Sequence, residues 1–79
     1  MAGQLEQIAA FLAVAEAHSF VQAAAQLGVA PSSVTRTVGE LEARLGVQLL
    51  VRTTRRVSLT QAGTAFRDQV LPLVGGLAR

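Results

Sequence analysis

Several residue types and segment types are missing from this sequence of 79 residues, and each absence removes a class of function. There is no cysteine, which excludes disulfides, thiol catalysis and thiolate metal sites and fits a reducing compartment. No apolar run approaches the roughly 20 residues that a membrane-spanning helix needs. The single histidine, His18, has no cluster of partner ligands, so it indicates neither a metal site nor an acid–base centre. We expect no cofactor, no metal and no membrane contact.

The sequence also lacks the sets of side chains that enzymes need. It has no convergent pair of carboxylates and no phosphate-binding glycine loop, and no nucleophile and base can be paired from what remains. The region after Met1 contains Glu6 and no basic segment, so no signal peptide is expected. We therefore predict a protein that is not an enzyme, with the cytoplasm as its location.

What is present is an apolar chain with an uneven distribution of charge. The hydrophobic content of 51% argues against disorder, and the length allows one domain with a modest core, so self-association is expected to add stability. Residues 1–35 contain two glutamates and no arginine, a net of −2. Residues 36–79 contain seven arginines against three acidic residues, a net of +4, which suits a face that meets phosphate. Lysine is absent, which genomic base composition explains without any reference to binding.

A short helix followed by a tight turn is predicted at residues 19–28. Ser19 and Gln22 have the spacing of a capping box, in which the serine side chain accepts a hydrogen bond from the amide of residue 22. The helix has a small apolar face formed by Ala23, Ala24 and Leu27. This face lets a second helix approach closely, and Gly28 supplies the backbone freedom that the turn needs.

A second helix is predicted to begin at Pro31, whose fixed φ suits a first helical position, and to end at Gly46. Its apolar stripe, at spacings of a helix, consists of Val34, Val38, Leu41 and Leu45. Its opposite side is small and polar and consists of Ser32, Arg36, Gly39 and Ala43, with Thr35 on the flank. Such a face fits the major groove of DNA, which is about 12 Å wide. Ala30 offers no side-chain cap, so the amides of Ser32 and Ser33 are expected to lack a hydrogen-bond partner within the chain. A phosphate could accept from them instead.

Two short strands and a final helix are predicted after Gly46. The strands cover residues 48–52 and 56–59, and a basic turn joins them. The two strands and this turn form a wing. Thr60 is the expected N-cap of the final helix. That helix has a long apolar stripe of Ala62, Phe66, Val70, Leu73 and Leu77, with a kink or fraying expected after about Leu71 because Pro72 follows. The first helix, about Gln4 to Ala17, has an apolar arc wider than one core contact requires.

Taken together, these motifs resemble the N-terminal DNA-binding domain of a LysR-type transcriptional regulator over about residues 5–70. The residues that carry the resemblance are Ser19, Phe20, Ala23, Ala24, Leu27, Val29, residues 31–36, Leu41, Glu42, Leu45, Gly46, Leu49, Leu50, Arg52, Thr53, Leu59, Thr60, Ala62 and Gly63. The combined spacing is far more specific than any single motif.

The resemblance implies a mainly α fold, with a winged helix-turn-helix at residues 1–60 and a linker helix at residues 61–79. It further implies a homodimer on a pseudo-palindromic promoter site, in which the linker helix pairs with its equivalent and with helix one of the second subunit. A complete regulator of this type would continue beyond Arg79 into an effector domain, which would bind a small-molecule inducer. The sequence does not indicate the operator, the inducer, or activation as opposed to repression.

Candidate DNA contacts lie on the helix-turn-helix and the wing. They are Ser19, Pro31, Ser32, Ser33, Thr35, Arg36, Arg52, Thr54, Arg55 and Arg56. Arg36 is the strongest candidate for reading a base, with a phosphate contact and an ion pair to Glu40 as the alternatives. Arg52 is compatible with a position facing DNA or facing Glu42. The wing-tip arginines Arg55 and Arg56 suit the DNA backbone or minor groove.

Candidate dimerisation residues lie on the first and last helices. They are Leu5, Ala9, Leu12, Phe66, Val70, Leu73 and Leu77. The alternative for this set is packing within one subunit. Two other functions remain open: a winged-helix domain like that of molybdate-responsive regulators, and a winged helix used for protein assembly, which would not need a basic wing.

Overall fold

The computed structural model describes residues 3–53 and 56–77, and over these the chain forms four helices and a two-stranded antiparallel sheet. The elements, in chain order, are α1 Gln4–Ala17, α2 Phe20–Leu27, α3 Pro31–Leu45, β1 Leu50–Arg52, β2 Val57–Leu59 and α4 Gln61–Leu77. The mainly α fold with a two-stranded wing, predicted from the sequence, is confirmed.

The helix ends follow local capping chemistry. The Ser19 side chain accepts a hydrogen bond from the amide of Gln22 at 3.1 Å, which starts α2 as the sequence predicts. Gly28 and Gly46 end α2 and α3 with φ values of 71° and 73°, a left-handed conformation that glycine adopts without penalty. Thr60 accepts from the amide of Gly63 at 2.9 Å and so caps the first turn of α4.

The core lies where α1, α2 and α3 meet the start of the wing. Its largest fully buried side chains are Phe11, Val14, Val34, Leu41 and Leu49. Two residues that the sequence placed on the inner faces, Leu27 and Leu45, are each 40% exposed. Each is the last residue of its helix, where the chain turns away through a left-handed glycine, so the fold covers these two members of the apolar faces only in part.

The strands are shorter than the sequence predicts. Leu50 pairs with Leu59 and Arg52 pairs with Val57, and residues 48 and 49 lie outside the ladder. Leu50 and Val57 are buried, which fastens the base of the wing to the core.

The first half of α4 packs on the same core. Phe66 meets Phe11 edge to face, with ring centroids 5.6 Å apart and planes inclined at 61°. Val70 is only 8% exposed. The helix continues through Pro72 to Leu77 instead of fraying after Leu71, and a kink at this point stays a prediction. Proline removes one interior hydrogen bond, and its φ remains compatible with a helix.

Candidate nucleic-acid interface

The outer face of α3 is a continuous polar surface. The residues predicted to face outward, namely Ser32, Thr35, Arg36, Gly39 and Ala43, are all exposed. Val34, Val38 and Leu41, on the opposite side, are at most 2% exposed. The helix therefore buries its apolar stripe and leaves a narrow polar face with one arginine in solvent, as the sequence predicts.

The Arg36 guanidinium has no partner among the described residues. It is exposed, and it forms no ion pair with Glu40, which was one of the two alternatives to a base contact. The Glu40 Oε1 atom is buried and accepts no hydrogen bond from any described group. Arg36 thus keeps all of its donors for a ligand.

The start of α3 lacks a side-chain cap, and one expectation about it needs correction. Ala30 is in the N-cap position with extended backbone and makes no side-chain hydrogen bond. The amide of Ser33 nevertheless donates to the Ala30 carbonyl oxygen at 3.0 Å, so it does not lack a local partner. This bond between residues three apart is the tight turn that helix ends use to satisfy their own amides. Pro31 and Ser32 are exposed beside it, and Ser33 is half-buried.

Arg52 joins the wing to the helix-turn-helix. Its guanidinium carbon lies 4.1 Å from the centre of the Phe20 ring, and its Nη2 donates to Thr35 Oγ1 at 3.1 Å. The sequence left two positions open for Arg52, facing DNA or facing Glu42. The structure does not place it against Glu42. Phe20 is not among the predicted DNA contacts. Its position at the start of α2 does not indicate that an arginine of the wing would pack on its ring.

Glu42 serves a different group. Its Oε2 accepts from the amides of Leu49 at 2.7 Å and Leu50 at 3.2 Å, just where α3 gives way to β1. These amides would otherwise lie partly buried without a partner. Glu42 therefore holds the wing against α3, a role that sequence reasoning missed because the bonds span the turn at Gly46.

A second tie connects the wing to the end of α1. The Val57 amide donates to the His18 carbonyl oxygen at 3.2 Å, and His18 Nδ1 lies 3.1 Å from the Val57 carbonyl oxygen, which it reaches as a donor. His18 is also a non-glycine residue with φ of 56°. The backbone conformation is unusual for such a residue, and the side-chain bond to β2 offsets it. Neither bond could be predicted from the sequence, in which His18 indicates neither a metal site nor an acid–base centre.

The tip of the wing is only partly described. Thr53 donates from its amide and from its hydroxyl to the Arg56 carbonyl oxygen, at 3.0 and 2.8 Å, and this closes the turn. The Arg56 side chain is exposed. Two of the predicted contacts, Thr54 and Arg55, lie outside the described residues.

The predicted dimerisation residues do not form one surface. Leu5 and Leu73 are strongly exposed, at 67% and 69%, and Ala9 is exposed in an open groove beside α3. The Phe66 ring packs on Phe11 within the subunit, and Val70 is 8% exposed, so for these two residues the structure favours the alternative of packing within one subunit.

Two members of the set remain. Leu12 is half-buried against the core. The side chain of Leu77 lies outside the described residues. Only Leu5, Ala9 and Leu73 therefore remain as described members of the set with a largely exposed side chain.

Within residues 3–53 and 56–77, no helix has the length and apolar character needed to cross a membrane. The same part of the chain contains no cluster of three or more His, Cys, Asp or Glu residues suited to a metal ion.

These features define a class of protein: a winged helix-turn-helix domain whose second motif helix presents a polar, arginine-bearing face to solvent. The sequence matches, over residues 5–64, the family described as bacterial regulatory helix-turn-helix protein, lysR family. The chain belongs to this family. The match favours the LysR type over the molybdate-responsive type.

Individual relatives agree with this assignment. An HTH-type transcriptional regulator of Xanthomonas campestris pv. campestris is 46% identical over 68 residues, which are 86% of this chain and 20% of that regulator. The BenM DNA-binding domain in complex with catB site 1 DNA is 34% identical, with a TM-score of 0.90 over 96% of this chain and 85% of that one. The CbnR DNA-binding domain in a DNA complex is 40% identical, with a TM-score of 0.83 over 96% and 91%.

The chain spans about a fifth of the length of the curated relatives that it matches.

Proposed function

We propose that this chain is the sequence-specific DNA-binding domain of a LysR-type transcriptional regulator and that it binds a pseudo-palindromic promoter site as a homodimer. The observation that carries the proposal is the exposed polar face of α3, on which Arg36 has no partner among the described residues. Relatives of the same fold have been solved as complexes with DNA, which supports the same ligand here.

In this proposal α3 lies in the major groove. Arg36 donates to guanine O6 and N7, because a fork of two N–H groups matches that edge. Pro31, Ser32 and Ser33 approach the bases and phosphates at the start of α3, and Ser19 stands at the start of α2, where a phosphate also fits. Arg52, Thr54, Arg55 and Arg56 of the wing bind the DNA backbone.

The proposed dimer uses the surfaces that one subunit leaves open. Leu73 on the outer side of α4 and Leu5 and Ala9 on α1 are apolar and exposed, and two-fold pairing would cover them. Two-fold symmetry then places the half-sites about one helical turn of DNA apart, roughly 34 Å, or a multiple of it.

The remaining expectations follow from this role. The chain divides into the winged domain at residues 1–60 and the linker helix at residues 61–79, and its function is binding without catalysis. Its location is the bacterial cytoplasm, where its DNA target is. The relatives are about five times as long, so any small-molecule inducer acts through a part of the regulator outside this sequence.

Selection of bound duplexes from a random pool tests the proposal. We expect the wild-type chain to enrich a sequence with two inverted half-sites in phase with the DNA helix. The Arg36→Ala chain is the comparison and should enrich it far less. Retention of no duplex above background would contradict DNA binding and favour the protein-assembly alternative. Retention without any preferred sequence would contradict specificity.

A further inference from the structure

The Arg52 side chain is held by two contacts from two different elements. The ring of Phe20, at the start of α2, lies under the guanidinium at 4.1 Å. Thr35 Oγ1, on the outer face of α3, accepts from Nη2 at 3.1 Å. Arg52 itself is the last residue of β1 and remains exposed. The three residues thus form a clamp, the Phe20–Arg52–Thr35 clamp, across the junction of both motif helices and the wing.

The hydrogen bonds of Thr35 decide what its hydroxyl can do. A threonine hydroxyl has one hydrogen to donate, and Thr35 donates it to the Pro31 carbonyl oxygen at 3.1 Å. One acceptor position of the same oxygen is occupied by Arg52 Nη2. In this arrangement Thr35 has no donor left for the acceptor groups of a base edge, although it stands on the face that meets DNA.

The hydrogen bonds of Arg52 lead to the opposite conclusion. A guanidinium carries several N–H donors in one plane, and only Nη2 is engaged by a described residue. Arginine side chains lose much rotational freedom on binding, and a side chain already held in place loses less. Stacking on Phe20 leaves the edge of the guanidinium, where the free N–H groups lie, open to a ligand.

We infer that Thr35 is a positioning residue for Arg52 rather than a reader of bases, and that the clamped Arg52 binds a DNA phosphate at the junction of α3 and the wing. This inference rests on the proposed function. It changes the role of one predicted contact, Thr35, and gives Phe20 a role in DNA binding without contact to DNA.

A double-mutant cycle tests the inference on the preferred duplex. Arg52→Ala is expected to weaken binding about tenfold and to reduce the slope of log affinity against log salt by about 0.9, as for one lost phosphate contact. Thr35→Val removes the hydroxyl and keeps the shape, and is expected to weaken binding about threefold with unchanged base preference. In the Arg52→Ala background, Thr35→Val should have no further effect, because its role is carried by the missing arginine.

Two further variants serve as controls. Thr35→Ser keeps the hydroxyl and should bind like the wild type. Thr64→Val removes the same type of bond on α4, from Thr64 Oγ1 to the Thr60 carbonyl oxygen at 3.1 Å, and should leave DNA binding unchanged. A shift in base preference caused by Thr35→Val, or equal losses in both backgrounds of the cycle, would overturn the inference.

An NMR measurement on the free chain checks the clamp without DNA. Arg52 protons that lie over the Phe20 ring should be shifted upfield, and Phe20→Leu should remove the shift. Unshifted Arg52 protons in the wild type would overturn the inference even where DNA binding is intact. Failure of the wild type to bind any duplex would instead overturn the proposed function, and this inference would fall with it.

Discussion

The helices α3 and α4 carry apolar stripes of similar spacing, yet the fold uses them differently. In α3 the stripe of Val34, Val38 and Leu41 is buried in one subunit, and the opposite face is polar. In α4 the stripe is divided, with Val70 at 8% exposure and Leu73 at 69%. Periodicity predicts which residues share a face. The position of the helix in the fold decides how much of that face is covered.

The two helices are expected to differ most in how an alanine in place of a glycine changes the free energy of unfolding. A Cβ at Gly63 would overlap the Leu49 carbonyl oxygen, whereas a Cβ at Gly39 meets nothing within 4 Å. We expect Gly63→Ala to lower the free energy of unfolding by about 3 kcal/mol or more. Gly39→Ala should raise it by about 0.5–1 kcal/mol, because alanine favours a helix more than glycine does. Chemical denaturation of both variants measures the two free energies of unfolding. If both variants were stabilised, or both destabilised, the distinction between a packed Gly63 and an open Gly39 would be contradicted.

Truncation along the stripe of α4 separates its inner part from its outer part. Phe66→Ala removes the contact with Phe11 and should lower the free energy of unfolding by about 2 kcal/mol, since the ring is only half-buried. Leu73→Ala should change it by no more than about 0.5 kcal/mol.

Sedimentation equilibrium supplies the second half of this test. Leu73→Glu should leave the chain folded and weaken its self-association, because the charge lies on the surface proposed for pairing. A Leu73→Glu chain that associates like the wild type would place the dimer interface elsewhere.

On the outer face of α3, the Arg36 side chain is expected to matter for DNA binding and not for stability. Arg36→Ala should cost about 1–3 kcal/mol of affinity on the preferred duplex and much less on random duplexes. Arg52→Ala is the comparison, since a lost phosphate contact weakens both kinds of duplex alike. Titrations on both duplexes measure the difference. Equal losses for Arg36→Ala would assign Arg36 to a phosphate.

A small effect on stability is expected at the starts of the motif helices. Ala30→Ser supplies the side-chain cap that α3 lacks and should stabilise the free domain by about 1 kcal/mol. Ser19→Ala removes the cap that α2 has and should destabilise it by a similar amount. Thermal unfolding of both variants measures whether Ala30→Ser raises the stability and Ser19→Ala lowers it. No gain from Ala30→Ser would indicate that the bond from the Ser33 amide to Ala30 already satisfies the helix start.

The sequence predicted the features that depend on neighbours a few residues away. The bounds of α1, the cap at Ser19, the left-handed ends at Gly28 and Gly46 and the outward face of α3 all follow from local spacing. The partners of side chains distant in sequence could not be predicted in this way.

Three partners illustrate this limit. Arg52 meets a hydroxyl 17 residues away, and His18 meets a carbonyl 39 residues away. Phe66 packs on Phe11 of the first helix. Each depends on how the helices are arranged in space, which periodicity leaves undetermined.

The joint between the wing and α4 bears on the operator. Thr60 donates from its amide to the Leu49 carbonyl oxygen at 3.0 Å and from its hydroxyl to the Gln48 carbonyl oxygen at 2.6 Å, and Gly63 packs directly against Leu49. Glu42 binds the Leu49 amide from the other side, so α4 leaves the domain in a direction fixed relative to α3. In the proposed dimer, the angular phase between half-sites is therefore built into each subunit. An insertion of about five base pairs between the half-sites, roughly half a turn of DNA, would rotate the second half-site to the opposite side of the duplex. The second subunit could then no longer bind it.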